Sequence, residues 1–144
     1  MPEDLLPQTG DFKLYKERAV YAGTLLGGPL IGGYLIAENF KQLGEQEKAR
    51  KTWLYAILAT VAILAAALFI PGIERIPRFI IPLAYSLGAM NLVKHYQGAA
   101  IKAHVDSGGQ TYSPIRVALI GLLGLAIMVG LVFGILLLSG QFEF

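Results

Sequence analysis

The stretch GTLLGGPLIGGYLIAENF, residues 23–40, decides how this chain is read. Most of it lies in a run of nineteen residues between Arg18 and Glu38 that carry no charge. As a helix rising 1.5 Å per residue the run reaches about 28 Å, close to the ~30 Å hydrocarbon thickness of a bilayer. In water it would be a poor helix, because each interior Gly costs about 1 kcal/mol relative to Ala and Pro29 about 3 kcal/mol. In lipid an unsatisfied backbone group is worse than a strained helix. The segment therefore reads as a membrane-spanning helix kinked at Pro29, whose displaced Leu25 carbonyl needs a partner from a neighbouring helix or a water. Gly23 and Gly27, like Gly28 and Gly32, are four apart, the small-residue spacing that lets helix backbones approach closely. Such a kink serves either packing or, as in transporters built from discontinuous helices, an ion or substrate site. Packing is the commoner use of Gly and Pro in membrane helices. Glu38 and Asn39 close the segment at the interface, where a carboxylate is usually a solvated helix end.

Outward from this stretch, residues 1–15 read as a polar tail, followed by one domain over residues 16–139 and a short tail over 140–144. The first helix starts near Lys16 and runs to Leu43, with Gly44 as its stop. A second helix covers Thr52–Ile70, with Trp53 and Tyr55 at headgroup level, and Pro71-Gly72 ends it. A third, Phe79–Val93, has only fifteen uncharged residues, and Ala84, Gly88, Asn91 and His95 share one face of it. Asn91 on that small, polar stripe is expected to be buried between helices, with the Leu25 carbonyl as one candidate partner. Lys94 to Asp106 continues the helix at the membrane surface until Gly108-Gly109. Ser113-Pro114 is a helix start, a Ser N-cap followed by Pro at the first helical position. The fourth helix, Val117–Ser139, carries Gly121 and Gly124 on one side and Gly130 and Gly134 about 180° round. One of these two small faces can pack within the chain, leaving the other for a partner. The sum is an all-α fold, an integral membrane bundle of four transmembrane helices with a Gly/Pro-kinked first helix.

Composition bounds the function. Of 144 residues 55% are hydrophobic and 15% charged, against about 25% charged in a soluble domain. There is no cysteine, which excludes disulfides, thiolate metal sites and cysteine nucleophiles. The N-terminus lacks the basic region of a signal peptide. A formal charge of +2 gives no reason to expect nucleic acid. His95 and His104, nine residues apart, point to opposite faces of an unbroken helix and cannot share a metal ion without a break, which Gly98 could supply. No nucleophile elbow, metal-binding His pair or phosphate-cradling loop is present, so neither enzyme nor cofactor is expected. Gln97, His104 and Arg116, with Glu38, form a possible functional surface at the mouth of the bundle. Four spans put both termini on one side. Seven basic residues on the first and third links against five elsewhere favour residues 41–51 and 94–116 being cytoplasmic, with both termini outside.

The segments LGGPLIGGYLIAENFKQLG and QGAAIKAHVDSGGQTYSPIR resemble a group of small bacterial four-helix membrane proteins of unknown function. The resemblance implies a bacterial inner-membrane location and no activity. The expected function is a non-enzymatic membrane subunit or scaffold, in contact with lipid, that binds itself or a larger membrane complex through glycine-rich helix faces. The alternative is a small dimeric transporter or channel.

Overall fold

Gly28 has φ +90° and ψ 178°, a backbone conformation essentially restricted to glycine, and Pro29 follows it as the first residue of a new helix. The computed structural model, which describes residues 13–140, therefore has two short helices where the sequence predicted one long one. Helix α1 (Glu17–Gly27) and helix α2 (Pro29–Gln42) fold back on each other as a hairpin. Thr24 lies against Gly32 and Gly23 against Leu35. At the open end of the hairpin Asn39 hydrogen-bonds both backbone groups of Tyr15. In a straight helix these two residues would be about 36 Å apart. The expected kinked span is thus corrected to a hairpin. A proline without an N–H loses nothing at the start of a helix, and the flanking glycines remove the Cβ atoms that would hold the two arms apart.

The remaining elements are β1 (Lys13–Leu14), α3 (Gln46–Phe69), a 3-10 turn (Ile73–Arg75), α4 (Ile80–Asp106), β2 (Gln110–Thr111) and α5 (Pro114–Leu138). The all-α class holds. The strands form a parallel pair, Lys13 opposite Gln110 and Leu14 opposite Thr111. Ser113 caps α5 as expected, its Oγ accepting from the Arg116 N–H at 3.2 Å. Gly44 and Gly108, both at positive φ, end α2 and α4. The predicted helix from Phe79 and its extension from Lys94 are one element of 27 residues.

The three long helices pack chiefly on the hairpin rather than on one another. Helix α3 lies along α2, where a methyl on Gly33 would collide with Ala56. Helix α5 runs in the same direction as α1, with Gly23 against Val117 and Gly28 at the hairpin tip against Met128. Helix α4 covers both arms. Because the hairpin reaches only part of the way along them, the long helices have two unlike halves. Buried residues in α3 end at Thr60, in α4 begin at Ser86 and in α5 end at Gly124. Beyond the tip, residues 61–85 and 125–140 include no buried residue.

Two helices, α3 and α5, are long and apolar enough to cross a membrane, and only 11% of each apolar window is buried within the chain. Helix α4 does not qualify, and α1 and α2 are too short, so two candidate spans stand in place of four. The residues expected in a polar tail also behave otherwise from Lys13 on. Leu14 and Tyr15 are among the most deeply buried side chains. The rest of that tail, and residues 141–144 of the C-terminal one, lie outside the described residues.

Candidate functional site

Three regions follow from this arrangement: a polar clamp where the hairpin begins and ends, a groove beside its α2 arm, and the uncovered glycine face of α5. The clamp is built on Asn39, which is fully buried near the end of α2. Its Oδ1 accepts from the Tyr15 N–H at 2.8 Å. Its Nδ2 donates to the Tyr15 carbonyl at 2.9 Å and to Gln97 Oε1 at 2.9 Å. Gln97, also fully buried, donates in turn to the Ile36 carbonyl at 3.0 Å. Two side-chain amides thus join the lead-in to α1, the end of α2 and the middle of α4. Each accepts and donates, which an amide can do and a carboxylate cannot.

The Tyr15 ring stacks on Tyr112 with centroids 4.1 Å apart. Arg116 lies over the Tyr112 ring and donates from Nε to the Tyr15 hydroxyl at 3.2 Å. Burial pushes the Tyr15 pKa up, and Arg116 opposes that shift. His104, at the end of α4, has Nε2 2.7 Å from the Gln110 carbonyl. Its ring lies directly on Gly109, where any side chain would collide. These contacts fasten β2 to α4 and so hold the strand pair in register.

The groove runs between α3 and α4, with α2 as its floor and a volume of about 790 Å³. Ala56, Ala59 and Gly88 leave it open by their small size, while Gly32 and Gly33 in its floor are packed against Thr24 and Ala56. Lys48 and Lys51 stand at one end of it, and among the described residues no aspartate or glutamate lines it. Helix α5 carries the third region. Gly121 and Gly124 are buried against Leu26 and Ile31 of the hairpin. Among the described residues, nothing lies within 4 Å of a Cβ added at Gly130 or Gly134.

The glycines singled out in the sequence therefore divide. Gly23, Gly27, Gly28, Pro29 and Gly32 belong to the hairpin, and Gly121 and Gly124 are its seat on α5. Asn91 does not meet its expectation: it is exposed, on the side of α4 turned away from the hairpin. The hydrogen-bonding amide on α4 is Gln97, six residues on. Gln97 and His104 accordingly leave the expected functional surface and become internal connectors. Glu38 is half-buried and pairs with Lys41 at 3.3 Å. Sequence reasoning missed the clamp role of Asn39 and the burial of Tyr15. Asn39 in an otherwise apolar helix, and the Tyr15 and Tyr112 pair preceding two helix starts, were the available signals. Comparison with protein families, curated proteins and solved structures found no match.

Proposed function

We propose that this chain is a non-enzymatic integral membrane subunit or scaffold that associates with itself or with a larger membrane complex through the uncovered half of its helices. One observation carries the reading: beyond the hairpin tip the helices contain no buried residue, and among the described residues nothing lies within 4 Å of a Cβ added at Gly130 or Gly134. Leu58, Val61, Phe69, Leu123 and Phe133 are all more than half exposed, a surface unsuited to water. In lipid, helix association is driven by van der Waals packing, and small residues permit the close approach it needs. An exposed Gly130 and a partly exposed Gly134, on a half of α5 that contains no buried residue, are suited to receive another helix.

The hairpin also supports an orientation. Its fold-back brings Lys13, Lys16 and Arg18 to the end that holds Lys41, Lys48, Arg50, Lys51, Lys94, Lys102 and Arg116, so ten of the twelve basic residues lie in one half of the molecule. Arg75 and Arg78 remain at the other end. The thin bias expected from four spans becomes a strong one. The basic end is cytoplasmic by the positive-inside rule, and with α4 returning across the membrane between α3 and α5, Lys13 lies there and Gly140 opposite. The hairpin then enters from the cytoplasmic side and turns back inside the membrane. This replaces the arrangement with both termini outside.

Substituting Gly130→Leu together with Gly134→Leu tests the subunit reading. The pair should release a partner or a second copy on blue-native gels of gently solubilised native membranes while the monomer keeps its thermal stability. An unchanged assembly state removes the main support. A second reading, a dimeric transporter or channel, is favoured by the two half-length helices whose ends meet at Gly28-Pro29, as in transporters with broken helices. Solute flux in vesicles containing only this chain would favour it.

A further inference from the structure

The groove between α3 and α4 is not used by the assembly reading, which places partners on the glycine face of α5. Its length along α3, from Lys48 to Ala59, is about 17 Å, roughly half the ~30 Å hydrocarbon thickness and thus the depth of one leaflet. One end is basic and the other apolar. Lys48 is shared with Glu45, its Nζ 2.8 Å from the carboxylate, whereas Lys51 has no ion-pair partner among the described residues. Tyr55 and Tyr96 stand beside the lysines at the rim, the position that tyrosines take at headgroup level. Towards the tip the walls are Gly32, Gly33, Ala56, Ala59 and Gly88, with Pro29 at the far limit. Helices α3 and α4 are joined through their common floor, so the groove opens sideways between them.

We propose that this groove is a binding site for one anionic phospholipid of the cytoplasmic leaflet. An acyl chain lies along the small residues of α2, α3 and α4, and the phosphate sits between Lys48 and Lys51. The ligand class follows from the sign and position of the charge. Two lysines against the single carboxylate of Glu45 leave the mouth net positive and attract an anionic headgroup, and the apolar channel below them accepts a chain but offers a polar solute few partners. The site rests on the membrane placement proposed above but not on the assembly reading.

Native mass spectrometry tests it on the full chain, extracted from membranes, delipidated in mild detergent and titrated with phosphatidylglycerol or phosphatidylcholine of identical acyl chains. Recovery of the chain in the soluble fraction before titration would refute the membrane placement itself and is scored separately. The expected result is one retained phosphatidylglycerol per chain, with a preference over phosphatidylcholine of about fivefold to thirtyfold, given that Lys48 is partly neutralised. Lys48→Gln with Lys51→Gln should remove the preference while leaving weak binding of both lipids. Gly88→Leu, at a position with open space around it, should abolish binding of both without loss of helix content. Equal affinity for the two lipids, or binding indifferent to Gly88→Leu, overturns the site. So does a dimer in the delipidated protein that Gly88→Leu dissociates, because the groove would then hold a second copy.

Discussion

Asn39 and Asn91 are the same residue type on two helices, and only their surroundings separate them. Asn39 serves three protein groups while fully buried, and truncation would leave the two Tyr15 backbone groups and Gln97 without their partner. A buried polar group deprived of its partner costs about 1–3 kcal/mol. Asn39→Ala should therefore lower the thermal unfolding temperature in detergent sharply. Asn91→Leu, on an exposed position, should stay within about 0.5 kcal/mol of the parent. Comparable losses for the two would mean that the clamp contributes little. The sequence made Asn91 the more conspicuous of the pair, because it shares a stripe with Ala84 and Gly88. A one-face pattern states which residues lie together but not which way the face turns, and here α4 turns Val93, Gln97 and Ile101 to the hairpin instead.

Among the elements the hairpin differs most from its sequence reading. The start of α5 at Ser113-Pro114, the stops at Gly44 and Gly108 and the continuity of α4 into Asp106 were all legible, because each depends on a local cap or breaker. Whether Gly28-Pro29 kinks one helix or separates two is decided by a single φ, and that depends on what the arms gain by touching. Five glycines in eighteen residues are compatible with both outcomes. The gain here comes from Thr24 on Gly32, Leu35 on Gly23 and Ile31 on Gly27. Gly28→Ala should cost about 1–3 kcal/mol through backbone strain, since alanine rarely adopts φ +90°. Gly124→Leu should be at least as harmful by overpacking against Ile31, typically about 1–3 kcal/mol. Gly130→Leu should leave the monomer unaffected. Detergent thermal melts of the three variants check this order, and an unperturbed Gly28→Ala would argue for a continuous helix.

For the whole molecule the number of membrane passes sets which ends share a compartment. If the hairpin turns back, single cysteines at Lys13, Gln46 and Gln110 should all resist an impermeant thiol reagent in intact cells, and one at Glu74 should be labelled. All four positions are exposed at the surface of the chain. A spanning first helix would instead label Lys13 and protect Gln46. The charge count alone left this nearly balanced. It leans to one end only when three basic residues change ends, and that change is invisible until Tyr15 is known to touch Asn39.

The pairing of Lys13 with Gln110 also bears on how the protein is made. The partner of β1 is ninety-seven residues downstream. At roughly 5–20 residues per second of synthesis, the first strand waits on the order of 5–20 s for its mate to emerge. During that interval the hairpin has neither the Tyr112 ring nor the seat that α5 provides. Contacts so distant in sequence form late, since chain closure must precede any return from them. The nascent chain thus carries an unfinished, glycine-rich element through most of its translation, and a chain ending before Ser113 should be prone to proteolysis even though both arms of the hairpin are complete.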